Sequence, residues 1–229
     1  NEIKNFIKEL EKITNNSFEI LKKSIEKYKK IEVLLKRIKC SKGNPINKIY
    51  NYINICKNYG TFPFANIARC AFISMNFLNS MVEDNILTKN EKKLYLNSLR
   101  TTTSRMLNEL NKKSKKIFLQ KFGHLRPSTY DINSLSYNEN YNAYFNKTNT
   151  NNLVKNKKFK FSSVQKEKIQ KRLKSLNLFI TTDSFIKFLE QSIIHRENSK
   201  FFFTKSIELI FCEIKKIGRK FNIPKNDLC

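Results

Sequence analysis

Apolar residues recur at three- and four-residue spacing along most of this chain. Ile3, Phe6, Ile7 and Leu10 open the pattern, and Leu21, Ile25, Tyr28, Leu35 and Ile38 continue it, which predicts helices over 2–13 and 17–39. Ile49, Tyr52, Ile53 and Cys56 mark a shorter helix over 46–58. A helix opening at Pro63 is apolar almost all round (Phe64, Ile67, Ala68, Ala71, Phe72, Met75, Leu78, Val82), the pattern of a central, enclosed element. Thr88 followed by Glu91 reads as a capping box for the next helix, with Leu96, Leu99, Met106 and Leu110 on its buried side. A short helix over 112–121 leads to Gly123. Ser163 is expected to cap a helix to about Leu176, and Thr182 or Asp183 another to about Arg196. Phe203, Ile207, Ile210, Ile214, Ile217 and Phe221 then alternate in fours and threes, which predicts a long final helix packed along another.

Each glycine is followed within a few residues by proline: Gly43/Pro45, Gly60/Pro63, Gly123/Pro127 and Gly218/Pro224. Gly past a helix end with Pro soon after is a stop signal, so the pairs are expected to divide the chain into helical blocks. Between Asn133 and Phe161 the helical period disappears, and a segment of that length is too long for an idle connection. No period-two alternation and no internal repeat appears. These patterns predict an all-α protein: a single multi-helix domain over 1–229 with one long irregular loop at 133–161. Both ends read as cut from a longer chain.

Composition changes this picture little. With 229 residues the chain can bury a proper core, and 4 Gly and 4 Pro are too few for a many-stranded protein. The net charge of +26 would suit nucleic acid, but the lysines are scattered in pairs (Lys22-Lys23, Lys29-Lys30, Lys92-Lys93, Lys215-Lys216), the pattern of solvated faces. Five cysteines without a Cys-x-x-Cys pair suit reduced thiols in a cytoplasmic protein and give no metal site. The most apolar run, 65–82, is broken by Asn66, Arg69, Asn76 and Asn79, which argues against a membrane span.

The candidate chemistry gathers in Phe122-Gly123-His124-Leu125-Arg126-Pro127-Ser128-Thr129-Tyr130-Asp131-Ile132. This segment spends a Gly, a His, an Arg, a Pro and an Asp in a chain poor in turn-formers. His124 reads as a general base or ligand-orienting donor, or else as a satisfied core histidine. Arg126 offers a planar fork for carboxylate or phosphate, and Tyr130 and Asp131 can fix hydroxyls. Arg69, inside the most apolar helix, is expected to be buried and to need Asp131, Glu83, Glu197 or an anionic ligand. His195-Arg196-Glu197, with Lys200, forms a second cluster between two predicted helices. No metal spacing, phosphate loop or nucleophile elbow is present.

These residues also carry a resemblance. Gly60-Thr61-Phe62-Pro63-Phe64-Ala65 with Ala68-Arg69-Cys70-Ala71-Phe72-Ile73, Ser98-Leu99-Arg100-Thr101, Gly123 to Ile132, and Arg196-Glu197 with Lys200-Phe201 and Phe203-Thr204-Lys205 stand in the chain in this order. Together they resemble the central helical region of phosphoenolpyruvate synthase/pyruvate phosphate dikinase-like proteins, a group related to rifampicin phosphotransferase. The resemblance runs from about residue 55 to the end. Ser128 stands where the pattern usually has Gly. The resemblance implies a three-part kinase-type transferase. An ATP-grasp domain takes phosphate from ATP, a swivelling domain carries it on a histidine, and a small-molecule acceptor receives it. Neither phosphate-carrying element is in this chain. No cofactor is expected here, and ATP and magnesium belong to domains elsewhere in the same polypeptide.

The leading expectation is one polar pocket lined by Arg69, His124, Arg126, Asp131, Arg196 and Glu197, with Tyr130 nearby, that orients an acceptor for in-line transfer. It requires the guanidinium groups of Arg69 and Arg126 to share a cavity. The alternatives are a non-catalytic helical scaffold, with these motifs as helix-to-helix ion pairs, and, further off, a basic nucleic-acid-binding domain.

Overall fold

A computed structural model describes residues 2–112, 114–145 and 158–228. The fold is all-α: every regular element among these residues is helical and no strand forms.

The first helix, α1 (Glu2–Tyr28), runs through the break predicted at 14–16. Thr14 Oγ1 donates to the Leu10 carbonyl at 2.8 Å and Ser17 Oγ to the Thr14 carbonyl at 2.6 Å, so both hydroxyls bond back into the helix instead of ending it. The break falls at Lys29-Lys30, before α2 (Ile31–Cys40). Asn44 caps α3 (Pro45–Ile55), its Oδ1 accepting from the Ile46 N–H at 3.0 Å, with Pro45 in the first turn.

The stop predicted at Gly60/Pro63 does not occur. Instead, α3 passes into a π-helical stretch (Cys56–Thr61) that continues into α4 (Phe62–Glu83). Gly60 is there for close approach, since a Cβ on it would stand 2.6 Å from Phe203 Cβ. Nor is α4 enclosed all round. Ile67, Cys70, Ala71, Ser74 and Leu78 are buried, whereas Phe72 is 64% exposed.

The predicted capping box opens α5 (Lys89–Ser98): Glu91 N–H donates to Thr88 Oγ1 at 3.1 Å and Thr88 N–H to Glu91 Oε2 at 2.8 Å. The single helix expected through Leu110 is split at Leu99, and α6 (Thr102–Asn111) is separate. Then α7 (Lys115–Phe122) leads into the Gly123 turn, and α8 (Tyr141–Phe145) lies inside the stretch expected to be irregular. Residues 146–157 of that loop lie outside the described residues. Ser162, not Ser163, caps α9 (Ser163–Ser175), with Gln165 as reciprocal partner. The two helices predicted last are one continuous α10 (Thr182–Lys220), so His195-Arg196-Glu197 is mid-helix and not a junction.

Left-handed turns are supplied by asparagine. Asn85, Asn177 and Asn222 have φ of 53°, 54° and 55°, and no described glycine has a positive φ. At the end of α10, Asn222 takes that role while the Ile223 N–H returns to the Gly218 carbonyl at 2.9 Å, so Gly218 belongs to the helix.

Where the sequence suggests one domain, the chain divides into two compact units. The first comprises 1–25, 65–101 and 155–196; the second comprises 26–64, 102–154 and 197–229. In the first unit Phe18 packs on Phe188 and Phe77 on Phe185, and Ser74 and Ser192 share a buried hydroxyl–hydroxyl bond of 2.7 Å. In the second, Ile31, Leu35, Tyr52 and Phe203 form a buried cluster with Phe64, Phe202, Ile207 and Ile210 packed around it.

Candidate functional site

The Gly123–Ile132 segment leaves α7 in the second unit and is folded back by main-chain bonds. Tyr137 N–H donates to the Leu125 carbonyl at 2.8 Å and Asn138 N–H to the Gly123 carbonyl at 2.9 Å. Gly123 is needed at this contact, because a Cβ there would stand 2.1 Å from Asn138 Oδ1.

Arg126 is the hub of the turn, and its residue is only 7% exposed. Its Nη2 donates to Glu208 Oε2 of α10, and its Nη1 donates to the Ser134 carbonyl at 2.9 Å and the Asp131 carbonyl at 3.4 Å. The guanidinium also stacks over Phe211 at 4.8 Å. All of its donating fork is directed into the protein, so a buried ion pair holds this turn to α10. Asp131 is a turn-former: its carboxylate accepts from the Asn133 N–H at 2.8 Å and is exposed, as is Tyr130. A second pair closes the turn. Burial raises the Glu139 pKa, but the Lys215 ammonium at 2.6 Å and the Ser136 N–H outweigh it and hold the carboxyl at about 2.

His124 is partly buried, with Nε2 3.1 Å from the Phe201 carbonyl and its ring 4.8 Å from the Phe201 ring. Burial and then the nearby Lys205 charge push its pKa down to about 3. The imidazole is therefore neutral at pH 7, donates from Nε2 to that carbonyl, and leaves Nδ1 as an acceptor. Such a ring is a poor general base and a suitable hydrogen-bond partner for a hydroxyl.

A cleft of about 400 Å³ opens beside His124. Lys36 and Lys39 of α2, Gln120 of α7, and Lys205, Glu208 and Cys212 of α10 form its walls, with Glu32 at its edge. Two of its carboxylates are already neutralised: Lys205 pairs with Glu32, and Arg126 with Glu208. Lys36 and Lys39 have no carboxylate partner among the described residues. The cleft thus carries a surplus of positive charge beside a neutral imidazole, which suits an anionic ligand bearing a hydroxyl. The sequence pattern missed Lys36, Lys39 and Glu208. The two lysines look like any exposed helix face, while Glu208 is the one charged residue in the run Ser206–Cys212 and offered a signal.

The other expected site residues fall elsewhere. Arg69 lies in the first unit, is exposed, and donates to Asn66 Oδ1 at 3.2 Å one turn earlier on α4. The expectation of a buried guanidinium needing an acid is therefore wrong: α4 has an exposed face, and Arg69 is on it. Arg196 belongs to the first unit and lies over exposed Phe72 at 5.9 Å, while the half-buried Glu197 is assigned to the second. No group of three or more His, Cys, Asp or Glu side chains among the described residues is arranged to hold a metal ion, and no described helix is long and apolar enough to cross a membrane. Cys40, Cys56, Cys70 and Cys212 are free thiols. No family model, curated protein or solved structure compared with this chain matches it.

Proposed function

We propose that this chain is the middle piece of a dikinase-type phosphotransferase, akin to phosphoenolpyruvate synthase and pyruvate phosphate dikinase, and that its second unit binds the phosphoryl acceptor. ATP and magnesium would be handled by an ATP-grasp part of the same polypeptide, and the phosphate would arrive on a histidine of another part. One observation carries this reading: two of the motifs behind the resemblance converge on residues 201–208 of α10, a stretch that begins inside a third. Gly60 packs against Phe203, His124 bonds to the Phe201 carbonyl, and Arg126 pairs with Glu208. Segments about sixty and eighty residues apart in sequence thus build one wall, and the anion-suited cleft lies against it. The contribution to catalysis would be positioning, through Lys36, Lys39 and His124 Nδ1.

The scaffold reading retains one specific support, the internal pairing of Arg126 through both terminal nitrogens. Removing that guanidinium strands Glu208, so Arg126→Met should cost about 3–5 kcal/mol of stability and cannot by itself separate the two readings. The cleft lysines can. In the polypeptide that contains this chain, acceptor-dependent formation of AMP from ATP is expected. The double variant Lys36→Ala/Lys39→Ala should raise the acceptor KM about tenfold with the melting temperature unchanged. An unaltered KM would leave the unit as a scaffold, and no AMP formation would overturn phosphotransfer altogether.

A further inference from the structure

The first half of α1 shows an apolar stripe that nothing in the first unit covers. Ile3, Phe6, Ile7, Leu10 and Ile13 are 77%, 65%, 49%, 46% and 55% exposed. The stripe is not a random scatter. Ile3, Ile7, Leu10, Thr14, Ser17, Leu21 and Ser24 follow one another at spacings of four and three without a slip, the heptad period of a helix that packs along another helix. Over the second half of that period Ser17, Leu21 and Ser24 are buried at 2–4% exposure, so the phase of the stripe is the phase of a real interface. The uncovered half is the more apolar, with Ile3, Ile7 and Leu10 where the covered half has Ser17, Leu21 and Ser24, whereas a helix face meant for water is polar.

Charge selects the occupant. In a chain of net charge +26, residues 2–13 hold Glu2, Glu9 and Glu11 against Lys4, Lys8 and Lys12 and so are neutral. Two copies of this segment can approach without the repulsion that the rest of the chain would impose, and an anionic surface gains nothing from it. Lys4 and Glu11 lie on the same edge of the stripe, one heptad apart. In an antiparallel pair, that edge of one helix meets the same edge of the other in reverse, which sets Lys4 opposite the partner's Glu11 and Glu11 opposite the partner's Lys4.

We propose that residues 2–13 of α1 pair antiparallel with the same residues of a second copy of this chain. The segment is about 18 Å long, and a pair of that length covers less than the roughly 1,000 Å² of a tight interface. The dimer is therefore weak and reversible, with a dissociation constant of about 100 μM.

Sedimentation equilibrium of the whole chain from 10 μM to 1 mM, with circular dichroism to confirm unchanged helix content, tests it. A monomer–dimer equilibrium is expected. Leu10→Asp should abolish it, and because Leu10 is exposed the substitution should leave the fold intact. Lys4→Glu alone and Glu11→Lys alone should each weaken dimerisation about tenfold, and the double exchange should restore it. A monomer throughout, or a dimer indifferent to Leu10→Asp, would overturn the proposal, as would a double exchange no better than the singles. Co-sedimentation of the monomer with vesicles of 30% phosphatidylserine, lost in Leu10→Asp, would assign the stripe to a membrane surface and equally overturn it.

Discussion

His124 illustrates how burial decides what a side chain can do. In water an imidazole titrates near pH 6.5, but here enclosure and the Lys205 charge depress it to about 3. The sign follows from the depression. Between those two values the unfolded chain holds a proton that the folded chain does not, so the stability is fully present above about pH 6.5 and is lost as the pH falls toward 3. Glu139 acts in a lower window, because its stabilisation is present above the ordinary carboxyl value of 4.5 and is lost progressively as the pH falls from there to about 2. Denaturant titrations between pH 7 and pH 5 should show a loss of up to about 1.4 kcal/mol per pH unit from this one imidazole. His124→Gln, which keeps a donor for the Phe201 carbonyl, should flatten that slope. An unchanged slope in the variant would mean that the ring is not enclosed as described.

At the scale of elements, Gly60 sets helix propensity against packing. It sits in the π-helical stretch between α3 and α4, where Ala would ordinarily gain about 1 kcal/mol over Gly. The space for a methyl group is taken by Phe203 Cβ, an atom fixed to its own backbone and unable to swing away. Gly60→Ala should therefore destabilise the second unit by about 1–3 kcal/mol, read from chemical denaturation, and a stabilised variant would show that the two helices can move apart. The same glycine explains part of what the sequence hid. Helix type and most helix positions were legible because three-four spacing is a direct print of one buried face, and the Thr88–Glu91 box was legible because its bonds are local. The Gly60/Pro63 stop was misread because a glycine that permits close packing and one that ends a helix look alike in sequence. The joins at Thr14–Asn16 and at His195–Glu197 were misread because polar residues inside a helix resemble residues that cap one. Of the site, the Gly123–Ile132 turn was legible from its unusual composition. The partner of Arg126 was not, since Glu208 is 82 residues away and only the fold brings them together.

For the whole molecule the dominant fact is charge, with 45 Lys and Arg against 19 Asp and Glu. A chain this basic repels itself on folding, and most of its ion pairs are too exposed to compensate: Lys23–Glu19, Lys12–Glu9 and Lys171–Glu167 all keep two-thirds or more of both side chains in water. Among the described residues Arg126–Glu208 is the most enclosed pair, with Lys215–Glu139 next, and salt reaches these least. Screening therefore removes more repulsion than attraction. The melting temperature should rise by a few degrees between 20 mM and 300 mM sodium chloride, where a protein held by surface ion pairs would lose stability. Calorimetry at the two salt concentrations decides the sign. The same screening separates the readings of the lysines. Spread over many helix faces, they should bind duplex DNA only loosely and release it over this salt range, whereas a built nucleic-acid surface would retain measurable sequence preference at 300 mM.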